Sequence, residues 1–341
     1  MHKNNFDFLR FFFAFIVVLS HIVDLSLHPD IAYLKKYFDS HVSVTGFFII
    51  SGYLIAGSFI VSKTVKSYFV KRANRLLPAY IFVVLFSAIF FVFISSFSFT
   101  QYYLNAAWFK YLASNLSFLN FLQPCLPGVF LGNYLCTING ALWTIKVEVS
   151  FYLVLPFIIY WIQKTSKKHL VLIAVYLFGL LYEYGLTQMA ISIPAKAAIF
   201  DVLKHQLPGF LTYFISGIAM YYYQDQFHKY KNYVSPLALI VFIVEYSLNL
   251  EILRPIAMAI LILYVAYGFT FLNNWGKYGD FSYGIYIYHF PIIQTAVSLG
   301  LFTIYSPYMV GLGIISLVLV CSFLSWNLLE KRFLQRKIMF K

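Results

Sequence analysis

Charge is what this sequence holds least of. Only 11% of its 341 residues are Asp, Glu, Lys or Arg, against about a quarter in a soluble globular domain. Acid is scarcest, at 12 Asp and Glu in all. With 61% hydrophobic residues beside so little charge, a water-soluble fold is excluded, and so is a disordered chain. The three cysteines, Cys125, Cys136 and Cys321, include no CxxC pair. Neither a zinc or redox motif nor a disulfide-stapled secreted scaffold is therefore supported, and no metal site is expected. A signal-peptide pattern is missing as well. Arg10 interrupts what would be its apolar core and no small-residue cleavage site follows, so the first apolar stretch is expected to stay as a membrane helix. There is no internal repeat or low-complexity tract, and no appended soluble domain is expected.

What is present in excess is apolar length. Runs suited to membrane helices occupy residues 6–27, 41–61, 79–99, 142–162, 170–186, 207–223, 234–250, 255–272, 281–301 and 309–329. The fold class read from them is an all-α polytopic membrane protein of about ten transmembrane helices. The net charge of +13 could suggest nucleic acid, but too few charges stand among too much apolar surface. Placing both termini in the cytoplasm puts 17 of the 25 Lys and Arg in cytoplasmic segments, among them Lys3, Arg72, Arg75, Arg336, Lys337 and Lys341. Six fall outside, and only Arg10 and Lys146 lie within spans. This asymmetry is the positive-inside bias of a multi-pass protein. The longest connection, 98–141, is then extracytoplasmic. In it Trp108, Tyr111, Leu112, Asn115, Leu116 and Leu119 share helical spacing, which suggests an interfacial or re-entrant helix. Cys125 and Cys136 share this loop, and a bridge and two free thiols are equally open.

Ionisable residues inside a span are costly and by default mark function. Arg10 and His21 are eleven residues apart, about three full turns, so they project from one helix face with a rise of roughly 16 Å between them. A fixed cation below and a titratable base above suit a long anionic ligand; the plainer readings are a snorkelling arginine and an interhelical hydrogen bond. Glu148 lies roughly 9 Å inside its span and His21 a similar distance inside its own, so the two could pair and poise the imidazole as a base. Arg72 and Arg75 are one turn apart in the loop before Pro78, the expected start of the third span. They could bind phosphate or simply anchor the loop. Tyr286 and His289 share a face of the ninth span, and His289 is reckoned to lie below His21 in depth. Gly46, Gly52 and Gly57 in GFFIISGYLIAG favour close helix packing.

Taken together, NFDFLRFFFAFIVVLSH, GFFIISGYLIAG, KRANRLLPAY, the Trp–Glu segment around ALWTIKVEVSFY, GDFSYGIYIYHFP and LLEKRF resemble, in order, the motifs of the membrane-bound acyltransferase 3 family. That family includes bacterial O-antigen and exopolysaccharide O-acetyltransferases. The resemblance spans almost the whole chain and implies one integral-membrane acyltransferase domain over residues 1–341, in the bacterial inner membrane. By it, His21 is catalytic, Arg10, Arg72 and Arg75 help bind the acyl donor, and Trp143 and Glu148 belong to a functional Trp–Glu segment. Beside the resemblance, Glu148 is expected to support His21, and Tyr286 and His289 are expected to join the donor site, a packed core histidine being the plainer reading of His289. Asn139 and Trp143 face the acceptor. Many relatives carry a second acidic residue directly after the glutamate; here it is Val149. The implied reaction moves acetyl from cytoplasmic acetyl-CoA to a hydroxyl of a cell-surface glycan. The partners expected are the lipid bilayer, a CoA thioester and a lipid-linked or polymeric glycan, with no metal and no nucleic acid. From another class, a transporter or flippase of a lipid-linked glycan would also need charges inside a ten-span bundle, but would be expected to show repeated halves.

Overall fold

A computed structural model describes residues 4–335. Lys3, Arg336, Lys337 and Lys341, counted above among the cytoplasmic bases, lie outside the described residues. Among those described there is no strand. The principal helices are α1 (Phe6–Ser26), α2 (Ser40–Ile60), α3 (Val65–Phe90), α4 (Ala106–Leu116), α5 (Leu142–Lys164), α6 (Lys168–Ser192), α7 (Leu211–Tyr222), α8 (Gln224–Ser247), α9 (Arg254–Gly268), α10 (Ser282–Ser298) and α11 (Pro307–Ser325).

Among the described residues, six helical segments are long and apolar enough to cross a membrane: Phe6–Ser26, Ser40–Ile60, Val65–Ile94, Leu142–Lys164, Lys168–Ser192 and Pro307–Leu334. A seventh would be the pair Arg254–Gly268 and Thr270–Tyr278, which is bent by 77°. The remaining runs fall short for visible reasons. Helices α7 and α10 have 12 and 17 residues, and α8 opens on the polar stretch QDQFHKYKN. Large side chains such as Leu170, Leu177, Phe178 and Leu181 on α6 are exposed, as a lipid-facing surface requires.

The third helix departs from expectation. It begins at Val65, well before Pro78, and carries that proline inside it. The basic stretch therefore joins the span as added helical turns instead of forming a loop, and Arg72 and Arg75 sit on a continuous helix. Proline is tolerated inside membrane helices when neighbours satisfy the freed backbone. The carbonyl that loses its helical donor there is that of Asn74; two residues on, the Tyr283 hydroxyl of α10 donates to the Leu76 carbonyl at 2.9 Å and ties α3 to α10.

Two compact units make up the chain. The first comprises residues 4–9, 44–69 and 147–275. Its core stacks Phe151 on Phe214 with ring centroids 4.1 Å apart, and Phe48 packs edge-on against Phe151. A Cβ at Gly52 would strike the Phe214 carbonyl, and one at Gly217 the Ile49 carbonyl, so each helix of the α2–α7 pair gives up a side chain where the other's backbone passes. The Glu245 carboxylate, late in α8, accepts from the Leu253 and Arg254 backbone N–H groups at 2.8 Å, which caps α9.

The second unit comprises residues 10–43, 70–146 and 276–335. Its long loop is an ordered body. Helix α4 is capped by Asn105, and its buried Tyr111 and Asn115 face inward. Tyr80 of α3 ties the loop down: its hydroxyl donates to the Asn115 carbonyl at 2.6 Å and accepts from the Asn120 amide at 3.0 Å. Leu119 lies beyond the end of α4. Cys125 and Cys136 are bridged, closing the loop's second half.

Candidate active site

Arg10 and His21 both project from α1 towards the segment that leads into and forms α10. At the lower end the Arg10 guanidinium lies 3.1 Å from the Asp280 carboxylate, and the Arg75 guanidinium of α3 bonds the same oxygen. The other Asp280 oxygen accepts the backbone N–H of Ser282 at 3.2 Å and also its hydroxyl. Arg75 further lies over the Trp326 ring, 6.0 Å from its centroid. Burial alone would raise the Asp280 pKa. The two guanidiniums and the two Ser282 hydrogen bonds outweigh it and hold the carboxyl well below the usual carboxylate range. Two cations thus share one anion.

Eleven residues along α1, His21 Nδ1 stands 2.7 Å from His289 Nε2 of α10, the two rings nearly parallel at 11°. Phe290 meets His21 edge-on. His289 is wholly buried while His21 keeps partial exposure. Because Arg10 pairs with Asp280 and His21 with His289, α1 and α10 run side by side in the same direction. Asp24, one turn past His21, bonds Ser20 and forms an ion pair with Lys35 at 2.8 Å.

The other candidates take definite places. The Tyr286 hydroxyl and Thr144 Oγ1 are 2.8 Å apart. Since Thr144 donates to the Ala141 carbonyl, Tyr286 is the donor between them. Asn139 is buried; its amide donates to the Ile287 carbonyl at 2.9 Å and its oxygen accepts the Ala141 N–H. Trp143 is half-buried at the start of α5. Glu148 belongs to the first unit, where the Tyr152 hydroxyl donates to it. Arg72 lies one turn before Arg75 on α3. The second unit therefore brings together Arg10, Arg75, His21 and His289 on α1, α3 and α10. Asp280 was not among the expected site residues, although it stands in the motif GDFSYGIYIYHFP.

Residues 3–326 match the acyltransferase domain family. The chain is 29% identical over 350 residues to a protein of Shigella phage Sf6 named O-acetyl transferase, covering 98% of each. It is 26% identical over 324 residues to nodulation protein 10 of Rhizobium leguminosarum bv. viciae, covering 88% of this chain and 85% of that one. No solved structure matches it. The motif order in α1, α2, α3, α5 and α10 and a family match over nearly the full length lead to one conclusion: the chain belongs to the acyltransferase 3 family and is an acyltransferase.

Proposed function

We propose that the protein is a bacterial inner-membrane O-acetyltransferase, moving acetyl from cytoplasmic acetyl-CoA to a hydroxyl of a cell-surface glycan such as O-antigen or exopolysaccharide. The observation that carries this reading is the division of labour along α1. A cluster of guanidiniums at Asp280 lies at one end, and an imidazole in a histidine pair lies about 16 Å further along. That span suits a donor with phosphates at one end and a thioester at the other. The relative named O-acetyl transferase, alike over its whole length, supports acetyl as the group and oxygen as its destination.

The wider topology belongs to the same proposal: ten spans, with both termini cytoplasmic. The parallel course of α1 and α10 agrees with it, since first and ninth spans cross in one direction. The clustering of basic residues at one set of connections supports a donor that arrives from the cytoplasmic face. Arg10, Arg72 and Arg75 would take the CoA phosphates. At the other end, His21 Nε2 takes the proton of the sugar hydroxyl while that oxygen attacks the thioester carbonyl carbon. The C–S bond breaks, and the proton passes from the imidazolium to the departing thiolate. Trp143, with the ordered loop, is assigned the sugar.

The test uses purified protein in vesicles with labelled acetyl-CoA and a glycan acceptor. Label should move to the glycan, and His21→Ala at equal protein level should abolish the transfer. Full transfer by His21→Ala would remove the base assignment. Glycan crossing the vesicle membrane without taking label would replace the enzyme reading with a flippase.

A further inference from the structure

The histidine pair carries more than proximity. We propose that His289 is a positioning residue that fixes the tautomer of His21, leaving the His21 Nε2 lone pair free for the acceptor hydroxyl. The inference rests on the assignment of His21 as base, and it takes His289 out of the donor-binding set in which its sequence position had placed it.

The argument is a chain of donors and acceptors. His289 is fully buried, so each of its ring nitrogens must be satisfied by protein. Its Nδ1 lies 3.2 Å from the carbonyl oxygen of Ile285, one turn earlier on α10. A carbonyl can only accept, so Nδ1 carries the hydrogen. In the neutral ring Nε2 is then a bare lone pair. That lone pair stands 2.7 Å from His21 Nδ1, which must donate to it. His21 therefore holds its hydrogen on Nδ1, and its Nε2 is the acceptor. The reverse arrangement sets the His289 Nδ1 lone pair against the carbonyl oxygen and puts a hydrogen on His21 Nε2, where no proton could be taken up. One backbone carbonyl thus selects the competent form of a base two hydrogen bonds away. When His21 Nε2 accepts the hydroxyl proton, the imidazolium still donates through Nδ1 to His289, so no second proton moves.

Three measurements test this. Nitrogen-15 spectra of histidine-labelled wild-type protein should show, in the signal that His21→Asn removes, a protonated Nδ1 and an unprotonated Nε2. The opposite pattern would overturn the proposal, and this readout needs no activity. Kinetically, His289→Leu should lose on the order of 100-fold in kcat, the scale of a general base, with the acetyl-CoA KM unchanged. His289→Gln, whose amide oxygen can accept from His21, should recover most of it. A risen donor KM at constant kcat would return His289 to donor binding, and equal loss in both variants would also refute the tautomer argument. If His21→Ala keeps full activity, the base assignment falls by itself, while the spectra still decide the tautomer.

Discussion

Replacing Asp280 with Asn removes one negative charge and almost no volume, so its effect is nearly pure electrostatics. The carboxylate is 11% exposed and its partners Arg10 and Arg75 are 24% and 20% exposed, so water screens the cluster poorly. A pair at this separation is worth about 4 kcal/mol at an effective dielectric of about 20, before desolvation is counted. Removing one partner of a buried pair costs about 3–5 kcal/mol, because the other charge stays behind. Here two guanidiniums stay behind, facing each other. The Asn amide can still accept from Ser282, which places the expected loss at about 3 kcal/mol. At about 2 °C per kcal/mol for a large domain, the detergent-solubilised variant should melt about 6 °C lower. Pyrophosphate offers the freed guanidiniums a replacement anion, so at saturation it should recover part of that loss and raise the wild type less. An unchanged melting temperature would show that the Asp280 cluster contributes nothing to the fold, and equal stabilisation by pyrophosphate would show that the carboxylate does not compete for its arginines.

The same carboxylate sets an acid limit. Its folded pKa is lowered, so its stabilisation is complete above the ordinary value of about 4. It is lost only as pH falls further, through the lowered folded value; thermal melts from pH 8 to pH 3 should show this contribution intact down to about pH 4 and should lose that dependence in Asp280→Asn. Breaking the Cys125–Cys136 bridge with Cys125→Ser opens a loop of 11-residue separation and should cost about 2–4 kcal/mol, seen as a lower melting point that reductant reproduces in the wild type. Gly52→Ala puts a methyl group into the Phe214 carbonyl; overpacking of this kind costs about 1–3 kcal/mol, and the loss should show as reduced folded yield, whereas Gly185→Ala, with open space around it, should be silent. Asn139→Ala strands the buried Ile287 carbonyl and Ala141 N–H, so it should destabilise by about 1–3 kcal/mol, measured as a melting shift that saturating acceptor does not restore.

How far the site could be read from the sequence depended on which quantity was local. The α1 face was local: eleven residues at helical pitch align Arg10 and His21 whatever surrounds them, and the structure finds both turned towards the α10 segment. The glycines of α2 were local in the same sense, since only a close backbone approach makes a missing Cβ useful. Depth was not local. Counted from the expected start of its span, His289 came out below His21, but such counting assumes that all spans begin in one plane and so does not give the size of the gap. The Arg10–Asp280 contact supplies the true register. Measured from it, His21 lies eleven residues up α1 and His289 nine residues beyond Asp280, a difference in rise of about 3 Å, which the side chains close. Pro78 misled for a related reason. It marks helix starts in water, where an interior proline breaks a hydrogen bond that the chain can ill lose, but a membrane bundle can satisfy the freed groups from a neighbour, so the helix runs back to Val65 and makes Arg75 part of the cluster. Asp280 stood in the motif GDFSYGIYIYHFP without a role, because no rule of spacing says which cation an acid will meet. The chemistry that matters most, the direction of a hydrogen bond between two histidines, is set by the carbonyl of Ile285. A backbone atom leaves no trace in a sequence, so the tautomer of His21 could be read only once α1 and α10 were side by side.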